Sequence, residues 1–128
     1  MPISELVKFE GDTLTFNDAK ITSVTLSEHG GSINVTGHQD IYGLIYLTYN
    51  LTLNPSIATQ GAFTGKAVGY GEGDERNTAS LSGVWVRKKR TMTLYSLDDV
   101  SDGNFHFAVV ELNLDDESGT INFSRMKK

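Results

Sequence analysis

The stretch Gly61-Ala-Phe-Thr-Gly65-Lys-Ala-Val-Gly69-Tyr-Gly71-Glu-Gly73 decides how this chain is read, because its glycines share one parity. Side chains along a strand alternate between faces, so residues two apart point the same way. As a strand, one face carries Gly61, Phe63, Gly65, Ala67, Gly69, Gly71 and Gly73, and the other Ala62, Thr64, Lys66, Val68, Tyr70 and Glu72. One face is nearly bare backbone. Glycine weakens a strand interior, so such a face marks a bend, a bulge, or close approach of another group.

The surrounding sequence is strand-like too. Thr, Val, Ile, Tyr and Phe alternate repeatedly, and no stretch holds a 3.6-residue period for three turns. Strands are predicted over 5–10, 13–17, 20–27, 32–38, 41–54, 61–72, 78–88, 90–97, 104–114 and 119–125. Turn residues separate them: Asp18, His29 to Ser32, Asn54 to Ser56, Asp74 to Asn77, Asp102 to Asn104, and Glu117 to Gly119. Strands joined by short reversals predict an all-β antiparallel meander. The predicted fold is a single closed β-barrel of about eight strands over residues 1–128, with glycine kinks providing the coiling that closure needs. A sandwich is the alternative.

Composition narrows the function classes. The formal charge is −5, with 11 Lys and Arg against 16 Asp and Glu. Nucleic-acid binding draws on phosphate contacts from basic residues, so no nucleic-acid partner is expected. The basic run Arg87 to Arg90 reads as a hairpin tip, and the acidic clusters Glu72 to Glu75, Asp98 to Asp102 and Asp115 to Glu117 read as solvated loop tips. The absence of cysteine excludes disulfides and a cysteine nucleophile. No apolar run approaches the roughly 18–20 residues of a membrane helix, and MPISELVKFEG lacks the basic and apolar regions of a signal peptide. The expectation is a cytoplasmic protein without a membrane partner.

Motifs for cofactors or metals do not emerge. Gly69-Tyr-Gly-Glu-Gly73 lacks dinucleotide spacing and a following helix. Asp98 to Gly103 resembles a calcium loop, but valines stand where oxygen ligands belong, at Val100 and Val109. No cofactor and no metal site are expected. His38, Asp40 and Tyr42 alternate and read as a polar cluster at a loop rim.

Two strands suggest ligand and partner. Leu44–Leu53 and Phe105–Leu114 each carry one apolar face and a second more apolar than water requires. A covered outer surface is expected, most simply in a homo-oligomer, a dimer or trimer. Tyr49, Asn50, Trp85, Tyr95 and Phe107 are candidate ligand-binding residues, apolar walls with orienting polar groups. Glu111, flanked by Val110 and Leu112, is the candidate catalytic acid or base if it points inward, where desolvation would raise its pKa.

Gly43 to Tyr49, the glycine-alternating strand Gly65 to Gly73 and Ser80-Leu-Ser-Gly-Val-Trp85 together resemble small bacterial barrels grouped by fold with the allene oxide cyclases. The resemblance covers roughly residues 35–125. It implies an eight-stranded, often oligomeric barrel with a hydrophobic interior, acting on an unsaturated substrate by shaping an apolar cavity. The family's cysteine has no counterpart here. The functional expectation is a barrel that binds a small, largely apolar molecule, with isomerase- or cyclase-type chemistry where turnover occurs. The alternative is a non-enzymatic oligomeric module whose interior is filled by its own side chains.

Overall fold

A computed structural model describes residues 1–128. After a 3-10 turn at Ile3–Glu5, nine strands follow: β1 (Phe9–Thr15), β2 (Asn17–Ser27), β3 (Gly30–Gln39), β4 (Gly43–Leu53), β5 (Gln60–Tyr70), β6 (Arg76–Lys88), β7 (Thr91–Val100), β8 (Phe105–Asn113) and β9 (Gly119–Met126). They form one antiparallel sheet in the order β1-β9-β8-β7-β6-β5-β4-β3-β2. The meander is as expected. The strand count is nine, and the first expected strand, 5–10, is replaced by the 3-10 turn and the start of β1.

The sheet curls strongly, and its two ends belong to consecutive strands. β1 pairs with β9 and β2 with β3, with only Phe16 between them. Phe16 N donates to Ile121 O at 3.0 Å and Ile21 N to Glu117 O at 2.7 Å. One isolated bridge, Lys20 to Ser118, adds to these. The β2 end therefore meets β9 through scattered bonds and not through a continuous ladder. Asp18 helps to set this corner. Its φ is 55°, and the β2–β3 register shifts between Asn17 and Lys20. The residue expected to be a turn is a bulge, which bends a strand without ending it.

The turns follow their residues. Lys89, with φ 56°, forms the tip of the β6–β7 hairpin in the basic run, as expected. Asp102 Oδ1 accepts from Asn104 N at 3.0 Å in the β7–β8 turn.

One parity of each strand from β2 to β9 faces inward, giving a core cluster of 19 apolar residues. The glycine run lies on that face. Across β4 to β6 each inward aromatic sits opposite a glycine: Tyr49 opposite Gly65, Phe63 opposite Gly83, and Trp85 opposite Gly61. Tyr49 and Phe63 meet edge to face at 5.5 Å. A ring laid over a glycine fills the space that a missing side chain leaves. Trp85 Nε1 donates to the carbonyls of Thr52 at 3.2 Å and Ala62 at 3.1 Å, so its one polar atom is satisfied inside the core.

Candidate functional site

The next inward row lacks such aromatics. Leu47, Ala67, Ala79 and Val100 are successive partners across β4 to β7, and Gly69 lies opposite Ile45 and Asn77 in the row beyond. Small side chains here leave a cavity of about 60 Å³. Phe16, Tyr42, Tyr49 and Phe123 provide aromatic walls, and Ala108 adds a small one. Asp98 and His106 are its ionisable polar members besides the tyrosines.

A row of the sheet explains why these polar groups gather. Tyr49, Gly65, Leu81, Asp98, His106 and Arg125 are successive cross-strand partners. Three of them, on neighbouring strands β7, β8 and β9, are ionisable and share the inward parity. Asp98 is half-buried and accepts a hydrogen bond from Ser96 Oγ at 2.5 Å. Burial pushes its carboxyl up to about 6 against the opposing Ser96 bond. No cation lies within salt-bridge distance of it, the ion pairs being Glu28–His29 and Arg90–Asp115. Burial, then the Asp98 charge, raises the pKa of the fully buried Tyr49 phenol.

A second polar group closes the same end. Tyr42 OH donates to Asp102 Oδ2 at 2.6 Å and lies 3.4 Å from His106 Nε2. Burial and then the Asp102 bond raise the Tyr42 phenol to about 12. Burial also lowers the pKa of His106, outweighing the Asp102 charge that favours the imidazolium. His106 stacks near Phe123 with centroids 4.7 Å apart. Asp102 itself is pushed up by desolvation, but the bonds from Tyr42 and Asn104 outweigh this and leave it low. Arg125 Nε is buried without a hydrogen-bond partner beside this group. The arrangement therefore offers a neutral imidazole, a bound phenol, and a carboxyl whose ionisation falls near neutrality, which suits it to exchange a proton or meet a cation.

The sequence candidates divide. Tyr49 and Trp85 are buried inside, and Tyr49 lines the cavity while Trp85 does not. Glu111 needs correction. On β8 the even residues His106, Ala108, Val110 and Leu112 are buried, so Glu111 points outward and is exposed, beside Thr93 and Thr120. It lies outside the interior in which it would act as an acid or base. Asn50 is likewise outward and exposed, accepting from Ser32 Oγ at 3.0 Å. Tyr95 is 43% exposed on the outer face. Phe107 also lies outside, against Phe9 at 6.3 Å. None of these four lines the cavity.

His38 and Asp40 stay exposed, while the β3–β4 turn brings Tyr42 inward, so the three do not form one cluster. Gln39 builds that turn, its Oε1 accepting from Ile41 N at 2.8 Å and Tyr42 N at 3.1 Å. Asp98, read with Asp102 as part of a solvated tip, instead faces the cavity. Its signal was the alternation Met92, Leu94, Ser96, Asp98, Val100, which the equally apolar Tyr95 and Leu97 of the opposite parity conceal. No known protein family, no curated protein and no solved structure matches this chain.

Proposed function

We propose that the curled sheet closes as a barrel and that the Asp98 cavity is a small-molecule binding site. The carrying observation is the pairing of an apolar-walled cavity with a half-buried carboxyl that no cation neutralises, since burial of such a group without a partner is costly. The site is smaller than the sequence reading expected. A cavity of about 150 Å³ admits benzene, so about 60 Å³ suits a ligand of only a few heavy atoms. Tyr49 and Phe123 would form its walls and Asp98 would orient it. Should turnover occur, Asp98 takes the acid or base role first considered for Glu111. The void here favours a smaller molecule than the unsaturated substrate that the resemblance to allene oxide cyclase-like barrels implies.

Ala79→Leu tests this reading, because Ala79 faces Ala67 and Val100 beside the void. Equilibrium dialysis against a small-metabolite extract is expected to show at least one molecule enriched about tenfold by the parent protein and not by a folded Ala79→Leu variant. Equal enrichment, or none, removes the site.

The second reading, an oligomeric module, is favoured by a separate surface. Val84, Tyr95 and Val109 are outward cross-strand partners, and Leu97 and Phe107 form the adjoining pair. Val84 and Leu97 are 56% and 52% exposed. Contiguous exposed apolar groups of this kind commonly mark interaction surfaces. Sedimentation equilibrium at high micromolar concentration is expected to show a dimer or trimer that Leu97→Lys shifts to monomer; a parent protein that stays monomeric excludes it.

A further inference from the structure

Resting on the cavity reading above, we propose that the occupant of the Asp98 cavity is a small primary ammonium ion, with the carboxylate as counter-ion and the surrounding rings as its cage. Three observations converge. First, Asp98 receives one hydrogen bond, from Ser96, and has no cation within reach, so its charge is open to a partner. A buried carboxylate is stable only when protonated or paired, and an N–H donor cation supplies both charge and hydrogen bonds.

Second, the walls favour positive charge. Phe16, Tyr42, Tyr49 and Phe123 all line the cavity. Aromatic faces attract cations through their quadrupole and are the usual wall of sites for organic ammonium groups. An anion gains nothing from them and would face Asp98. The nearest imidazole, His106, is held toward its neutral form by burial and so does not compete as the counter-ion. Arg125 lies one strand further along the row, beyond His106, and is not among the cavity walls. The net charge of −5 also favours approach of cations over anions.

Third, size excludes most alternatives. Scaling from a benzene-sized cavity of about 150 Å³ gives room for about two or three heavy atoms. Methylammonium and ethylammonium fit that limit, while a polyamine or an aromatic amine does not.

The cross-strand partners of Asp98 are Leu81 on β6 and His106 on β8; the other titratable groups of the cavity walls are Tyr42 and Tyr49, β5 and β6 bring only uncharged groups, and on β9 the cation Arg125 stands beyond His106, outside the walls. Binding therefore rises with pH as Asp98 ionises.

The test is methyl NMR of Ala67, Ala79 and Ala108, titrated at pH 7.5 with methylammonium, ethylammonium, ethanol and potassium ion. Saturable shifts are expected with the two ammonium ions, at affinities at least tenfold above that for ethanol. Asp98→Asn is expected to abolish the preference, and Ala79→Leu to abolish the shifts altogether. Equal binding of ethanol and ethylammonium, or an unchanged preference in Asp98→Asn, overturns the ammonium assignment while leaving the cavity as a binding site. Potassium binding as tightly as methylammonium assigns the site to inorganic cations and overturns it too. No saturable shift with any probe overturns both this inference and the cavity reading.

Discussion

Gly65→Val is expected to lower the unfolding free energy by about 4 kcal/mol or more, whereas Gly71→Val is expected to lose under about 1 kcal/mol. The contrast follows from what each new Cβ would meet. At Gly65 it runs into the carbonyl oxygen of Thr48 on β4, with Tyr49 Cα at 3.4 Å. Neither can move without breaking the β4–β5 ladder or lifting the Tyr49 ring that covers this glycine. Overpacking a core costs about 1–3 kcal/mol even where side chains can adjust. Here the obstacle is backbone, so a loss of about 4 kcal/mol or more is expected, a large part of a typical margin of about 5–15 kcal/mol. At Gly71, just past the end of β5, the nearest atom is Glu75 Oε2 at 2.6 Å, the far end of a flexible exposed side chain. Urea denaturation followed by the fluorescence of Trp85 measures both. A Gly65→Val protein with the parent midpoint would mean that β4 and β5 are not packed around this glycine.

The sequence reading treated Gly69 and Gly71 alike, as bends needed for closure. Structure separates them. Gly69 is buried, its Cβ position 2.9 Å from Tyr42 O, whereas Gly71 belongs to the loop. More broadly, the run does two things along one face. Gly61 and Gly65, with Gly83 across the ladder, receive Trp85, Tyr49 and Phe63. Ala67 and Gly69 receive no ring, and the void lies there.

Alternation and turn residues made the meander legible, because they are local properties of the chain. The site was not legible, because it depends on which parity of each strand turns inward and on the register between strands. Phe105 and Phe107 are bulkier than His106 and Ala108, so size alone points β8 the wrong way. Only the ladder reveals that His106 stands between Asp98 and Arg125. The same ambiguity left the direction of Glu111 open and hid Asp98. Tyr42 and Asp102 are 60 positions apart, and their contact joins two turns at one end of the sheet, which no short motif encodes.

Asp98→Asn is expected to stabilise the protein by about 2 kcal/mol at pH 7–8 and to leave it unchanged near pH 4. The folded protein holds the Asp98 proton to about pH 6, above its ordinary value of 3.8. Below about pH 4 both folded and unfolded chains are protonated, so the carboxyl contributes no difference. Between about 4 and 6 the unfolded chain releases its proton while the folded chain retains it, so stability falls as pH rises. Above about 6 the folded chain must ionise a buried group and the whole penalty is present. Two pH units at 1.36 kcal/mol each set an upper value of about 3 kcal/mol, and the remaining solvent contact of Asp98 reduces it to about 2. For a domain of this size that is a rise in Tm of roughly 5–10 °C. Asparagine retains the oxygen that accepts from Ser96, so the substitution removes the charge and little else. Other groups titrate in the same range: His106, kept neutral by burial, loses stability as pH falls, and Asp102, held low by Tyr42 and Asn104, does likewise. Both are present in parent and variant, so the difference between their melting curves at each pH isolates Asp98. A difference that is flat from pH 4 to 8 would mean that the carboxylate is hydrated in the folded protein, and the open charge on which ammonium binding depends would not exist.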